Sequence, residues 1–356
     1  MDVSILLKRM VEKKASDLHL RVPSPPVLRV DGKLEIMQDL PPVDTKDVEL
    51  VFEHIATPEQ RSKLLKEMDV EFAYSVPGLA RFRVSAMRQR GTLSIAFRMV
   101  PFEVPTIDEI GAPETCKDIV LESRGLILIT SGNGNGKSTT LTAMVNHINK
   151  SRRSNVIIIE DPIEYLHSND KCLIAQRDIG DDTKSLADAL KHALHHDPDI
   201  IVIGDNIDSD TMSTAISAAE SGHLVIALMN TEGAVSAIDH VIDMFPFENQ
   251  PLIRLRLSQV VVAVISQKLI NRAKGKGRVA AFEVMTTSKE IRKLLYEGRT
   301  GVINEVMQND SNGMQTMEQS LAELVKNNDI DKEEALGRSL YPNKLEELLE
   351  GKKVNV

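Results

Sequence analysis

The stretch "LILITSGNGNGKSTTL", residues 126–141, holds the most suggestive chemistry in the chain. An apolar strand runs into Gly132, Gly134 and Gly136, and Lys137, Ser138 and Thr139 then open a helix. Glycines at this spacing let successive backbone N–H groups converge on phosphate oxygens, and the helix dipole favours the same anion. The lysine neutralises β and γ oxygens, while the hydroxyl after it suits Mg²⁺. Nucleotide binding is therefore assigned to Gly132, Gly134, Gly136, Lys137, Ser138 and Thr139, with Ser138 also the metal ligand and ATP and Mg²⁺ as cofactors. Ser131 departs from the pattern G-x-x-x-x-G-K-[ST], which asks for glycine there. Backbone strain is expected at this serine, with Gly132 absorbing it.

Carboxylates recur where later apolar runs end. Glu160, Asp161 and Glu164 lie in "IIIEDPIEY", and Asp205 closes "DPDIIVIGD". Open α/β sheets bind ligands at the carboxyl ends of their strands, where acids hold Mg²⁺ through water or polarise an attacking water. Glu160 and Asp205 accordingly read as functional. Asp208 and Asp210, in "DNIDSDTMSTAIS", read instead as a turn and a helix N-cap. The segment "AESGHLVIALMNT" puts His223 at the start of a strand and Asn230 at its end. Periodicity alone makes such a histidine a structural hydrogen-bonder.

The elements that must position these groups follow from hydrophobic patterning. "GLILIT", "NVIIIE", "DIIVIG", "HLVIALMN" and "VVVAVIS" are nearly continuous apolar runs between amphipathic helices, as strands buried on both faces require. They predict an α/β nucleotide-binding domain over 119–285 with a mostly parallel sheet. Residues 1–100 predict a smaller α+β domain, with two or three short helices, notably 45–66, and short strands such as "DLHLRV" and "TLSIAFRMV". Between them, "PFEVPTIDEIGAP" carries three prolines and a glycine, so 101–118 reads as a linker. Residues 286–356 return to helical spacing and read as a helical C-terminal region.

Composition narrows the class. With 42% hydrophobic and 27% charged residues, and no apolar run long enough to span a bilayer, the chain reads as globular. Its N-terminus lacks the pattern of a signal peptide, so cytoplasmic residence is expected. Cys116 and Cys172 stand far apart, which argues against a disulfide framework or a four-cysteine zinc module. A net charge of -9 argues against coating nucleic acid, and the basic "NRAKGKGR" (271–278) reads as a solvated hairpin turn.

Taken together, "SDLHL", "ARFRVSA", "GNGKSTTL", "IEDPIEY", "QRDIGDDT", "DPDIIVIGD", "SAAESGHLV", "IDHVIDMFP" and "GMQTMEQSL" resemble, in order and spacing, the twitching-motility ATPases. These are the retraction motors of bacterial type IV pili, within the type II and type IV secretion ATPase superfamily. The resemblance implies a PAS-like N-terminal domain, a RecA-like motor domain, a homo-hexameric ring, and ATP hydrolysis that removes pilin through an inner-membrane platform protein. It implies a cytoplasmic position, peripheral at the inner-membrane pilus machine, and a possible paralogous retraction ATPase as partner. By match, Glu160, Asp161 and Glu164 fall on the family's acidic box, Asp205 on its second nucleotide-binding box and His223 on its histidine box, which gives these five catalytic roles. Arg81, Arg83 and Arg98 fall where the family places arginines that reach nucleotide at an interface. Salt bridges on a strand face would explain the same three arginines.

Family members usually carry glycine at 131, arginine at 195, 207 and 240, glutamate at 205 and histidine at 230. This chain has Ser131, His195, Ile207, His240, Asp205 and Asn230. The binding elements are kept while groups that would act on turnover are altered, and one lost arginine at transferring phosphate can cost on the order of 10³-fold in rate. Three readings therefore stand: an active hexameric retraction motor, an accessory ring subunit that binds ATP and hydrolyses it weakly, and a motor for another filament or a DNA-uptake apparatus.

Overall fold

Proline and capping residues explain the first departure from the predicted elements. The computed structural model describes residues 2–30, 32–100, 103–275, 277–310 and 313–351. Pro101 and Phe102 of the expected linker, Lys276 of the basic turn and 352–356 of the tail lie outside them. Where one helix over 45–66 is expected, the chain forms two, because Thr57 and Pro58 start a new helix with Thr57 as its cap.

The described chain divides into two compact units, one of residues 1–103 with 164–166, the other of 104–163 with 167–356. The first contains α1 (Val3–Glu12), β1 (Asp17–Arg21), β2 (Val27–Val30), β3 (Lys33–Ile36), α2 (Thr45–Ile55), α3 (Pro58–Glu67), β4 (Asp69–Val76), β5 (Ala80–Gln89) and β6 (Thr92–Val100). Its strands form an antiparallel sheet in the order β3-β2-β1-β6-β5-β4. Leu18, Leu20, Phe82, Val84, Ile95 and Phe97 bury one face against the helices. The alternate positions, including Arg81, Arg83 and Arg98, lie on the other face.

The second unit opens with α4 (Thr115–Ile119), β7 (Gly125–Thr130), α5 (Lys137–Ser151), β8 (Asn155–Glu160), β9 (Leu173–Asp178), α6 (Leu186–Ala193), β10 (Ile200–Ile203), α7 (Ser209–Glu220) and β11 (Leu224–Met229). It continues with α8 (Ala234–Asp243), α9 (Gln250–Val260), β12 (Val261–Asn271), β13 (Arg278–Thr286), α10 (Lys289–Glu297), α11 (Ile303–Gln308), α12 (Met317–Lys326), α13 (Lys332–Arg338) and α14 (Pro342–Leu349). The sheet order is β13-β12-β7-β11-β10-β8-β9, parallel throughout except for β13.

Each central strand feeds two cores. Leu126 and Leu128 of β7 join one cluster with α6 to α9, while Ile127 and Ile129 join another with α5. This double burial is why the runs are continuously apolar. Strand β9 is not such a run: it lies at the sheet's edge and alternates exposed with half-buried residues. Residues from the expected linker also join the second unit's core, with Ile107 and Cys116 packed in the α5 cluster. Both cysteines are buried and free, and burial pushes the Cys116 thiol up to about 12.

Candidate nucleotide site

Strand β7 delivers the loop and α5 completes it. Ser131 is fully buried, donates its backbone N–H to the Met229 carbonyl at 3.3 Å and turns its hydroxyl to the Gly132 carbonyl at 2.9 Å. It is not among the residues with positive φ, so the strain expected there is not found. Gly132 does not absorb any either; the left-handed turns fall on Gly134 (φ 75°) and Gly136 (φ 85°). A serine fits because this position needs only ordinary backbone angles.

The side chain of Lys137 is 6% exposed, with its ammonium 2.5 Å from Asn230 Oδ1 and 3.2 Å from Asp205 Oδ2. Three strands make this meeting possible. In register, Thr130 of β7 stands beside Met229 of β11, and Ala227 of β11 beside Ile203 of β10, so the residues that follow all emerge at one edge. Gly204 lets β10 pass close to β8: a Cβ there would stand 3.2 Å from the Glu160 Cα. Asp205 Oδ1 is buried and has no hydrogen-bond partner among the described residues. Glu160, at the end of β8, is buried on the same edge and accepts from Gln176 Nε2 at 3.3 Å. Asp161 follows it and is exposed.

Other expected site residues stand elsewhere. His223 precedes β11, and Leu224 pairs with Gly125 at the start of β7, so it lies at the sheet's opposite edge. The length of β11 puts about 20 Å between it and the loop. Its Nδ1 lies 3.0 Å from the Ala218 carbonyl and 3.2 Å from Ser221 Oγ, in the turn after α7. Glu164 groups with the first unit. There Arg83 pairs with Glu71 at 2.5 Å, Arg98 with Asp17 at 2.8 Å, and Arg81 reaches Ser75 Oγ at 3.5 Å. Burial alone would raise the Asp17 carboxyl, but the Ser16 hydroxyl and the Arg98 guanidinium hold it below the usual carboxylate range. Asp208 caps α7 by accepting from Thr211 N at 2.8 Å, and the Thr211 hydrogen bonds hold its carboxyl low.

Some bracing groups gave no signal in the sequence. Gln267 on β12 donates to the Asn135 carbonyl at 2.8 Å and accepts from Thr140 Oγ1. Asn135 itself accepts from Leu269 N at 3.1 Å, and Arg278 on β13 donates to the Gly134 carbonyl at 3.1 Å. These contacts span well over a hundred residues, so no local pattern could announce them. Next to the loop is a cavity of 440 Å³, lined by Ile110, Gly136, Thr139, Gln267, Leu269 and Arg278 among others. Its place beside the start of α5 and its size suit the rest of a nucleotide.

A parallel sheet whose β7 runs through a glycine loop into a helix, with a strand-end carboxylate on the loop lysine, is the arrangement of a P-loop ATPase. The family model described as "Type II/IV secretion system protein" matches residues 3–354. The chain belongs to this family. Members similar to it include the type IV pilus retractation ATPase PilT of Pseudomonas aeruginosa, 39% identical over 96% of this chain and 99% of the relative. The type IV pilus ATPase PilU of the same organism is 34% identical over 97% of this chain and 90% of its own. A crystal structure of the pilus retraction motor PilT with bound ADP superposes with a TM-score of 0.90 at 37% identity, covering 97% of this chain and 99% of that one. The fold is thus that of a RecA-like ATPase, with a smaller α+β unit before it in sequence, and membership of this family implies nucleotide binding. No helix among the described residues is long and apolar enough to cross a membrane.

Proposed function

We propose that this chain is a type IV pilus retraction ATPase that binds ATP at residues 131–139 and works as a homo-hexameric ring. The observation that carries the reading is the Lys137 ammonium held between Asp205 and Asn230 at the loop edge of the sheet. An ammonium so placed meets β and γ oxygens with little motion, while the N-terminus of the 15-residue α5 adds its dipole.

The residues also fit Mg²⁺. The unpartnered Asp205 Oδ1 and the half-buried Ser138 hydroxyl beside Lys137 are hard oxygen donors, and they would hold the ion. Bound there, Mg²⁺ would draw off negative charge from the phosphate oxygens. The chain's own residues divide the remaining work. Lys137 orients the terminal phosphates, and Asn230 and Asp205 keep its ammonium in place. Glu160, with one oxygen held by Gln176, orients the attacking water and accepts its proton; Asp161 adds charge beside it. Arg81, Arg83 and Arg98 act on a neighbouring subunit's nucleotide in the ring, exchanging their carboxylate or hydroxyl partners for phosphate. Glu164 groups with the first unit and His223 stands away from Lys137, and no step at this site is routed through them. The ring works in the cytoplasm against an inner-membrane platform protein, beside a paralogous retraction ATPase and without nucleic acid.

The accessory reading is not favoured. Identity of 39% to PilT over nearly the whole chain, with a TM-score of 0.90 to the PilT structure, supports the motor. Titration calorimetry and steady-state hydrolysis on the purified ring test the proposal. Lys137→Ala is expected to abolish both Mg-ATP binding and turnover; unchanged affinity in that variant overturns the site.

A further inference from the structure

A carboxylate that the ATP reading does not use stands against the phosphate loop. Glu232 Oε1 is 2.8 Å from where a Cβ on Gly132 would be. Its other oxygen, Oε2, lies 3.0 Å from Lys268 Nζ, with the lysine side chain 10% exposed and the glutamate 47%. Glu232 follows Asn230 by two residues, and Asn230 holds the ammonium that marks the place of the β and γ oxygens. The strand that supplies the lysine's partner thus also sends a negative charge to the terminal-phosphate end of the loop.

The pair is braced from behind. Lys268 Nζ donates to the Arg338 carbonyl at 2.9 Å, at the end of α13. The residues that follow are fixed in turn, since Ser339 Oγ and Tyr341 N both donate to Glu318 Oε1, at 2.9 and 3.2 Å. Leu340 closes the contact, 3.5 Å from where a Cβ on Gly233 would be. A carboxylate tied to an ammonium held in this way does not swing freely aside.

We infer that Glu232, restrained by Lys268, sets the preference between nucleoside triphosphate and diphosphate. ATP adds negative charge beyond that of ADP at the end of the loop where Glu232 stands, and like charges at fixed separation disfavour binding. Lys268 offsets part of this repulsion. Glu232 therefore weakens the triphosphate relative to the diphosphate, and Lys268 limits that effect. The α- and β-phosphates, cradled by the loop amides nearer α5, are little affected.

The inference rests on the ATP reading of the loop. It is tested by calorimetric titration of the full chain with Mg-ADP and with a Mg-bound non-hydrolysable ATP analogue. Glu232→Gln, which keeps size and hydrogen bonding while removing charge, is expected to tighten the ATP analogue about tenfold and to leave ADP within about twofold. Lys268→Met is expected to weaken the analogue more than ADP. Glu232→Gln carries the test alone if the buried lysine variant fails to fold, because Glu232 is half exposed. Equal shifts for both ligands, or none, overturn the inference while leaving the ATP site standing. Wild-type protein that binds neither ligand overturns the ATP reading and this inference with it.

Discussion

Asp205 Oδ2 lies 3.2 Å from the Lys137 ammonium, so the carboxylate expected to serve metal or water also neutralises the loop lysine. The partner carboxylate is one methylene shorter than a glutamate and still reaches the lysine. Asp205→Asn leaves a buried ammonium with weaker compensation. It is expected to lower stability by about 1–3 kcal/mol, read from denaturant midpoints, and to reduce hydrolysis by at least about a hundredfold.

Asp205→Glu with Asn230→His is expected to raise the hydrolysis rate by more than it shifts ATP affinity; affinity also changes, because both residues hold the Lys137 ammonium that meets the phosphates. His195 and His240 are exposed and Ile207 is half-buried, so no arginine is restored by this pair. The double variant should remain slower than a family member that has all three arginines. Parallel steady-state kinetics and titration check the claim; a wild type that turns over as fast as the double variant counts against it.

Ser131→Gly is expected to leave nucleotide affinity unchanged. Ser131 needs no left-handed backbone, so glycine relieves nothing and adds flexibility to the unfolded chain. The cost should be about 0.5–1 kcal/mol, measurable as a lower thermal midpoint. A marked gain in affinity would show that the serine does strain the loop.

Gln267→Leu removes the donor to the Asn135 carbonyl and the acceptor for Thr140 Oγ1. The Thr140 hydroxyl is left unsatisfied in the core, at about 1–3 kcal/mol, and the half-buried Asn135 carbonyl loses its donor at a smaller cost. Affinity for ATP and ADP should fall together, since the brace shapes the whole loop. Calorimetry on both ligands distinguishes this from a selective effect on one.

Glu283 gives a pH signature. Burial raises its carboxyl to about 7, against the lowering hydrogen bond from Ala234 N at 2.7 Å. The folded state then keeps a proton that the unfolded state releases nearer pH 4.5, so stability falls as pH rises from about 4.5 to 7. Glu283→Gln keeps an acceptor for Ala234 N and should flatten this part of the profile, by on the order of a few kcal/mol across the window. Chemical denaturation at several pH values, compared with wild type, measures it.

Local pattern was enough to determine the loop, the strand-end carboxylates and the parallel sheet. Glycine spacing acts through neighbouring backbone angles, and continuous apolar runs such as "GLILIT" and "NVIIIE" fit only strands covered on both faces. The break at Pro58 depends on a residue adjacent in sequence but was hidden by helical spacing that continued across it. Strand β9 escaped because an edge strand need not be apolar. Tertiary structure alone decided which polar groups meet. Strand order and register put Asn230 and Asp205 on Lys137, carried His223 to the far edge, and brought Gln267, Arg278, Lys268 and Glu232 to the loop. Partners on different strands are matched by direction and register across long separations, and no short stretch of sequence contains that information.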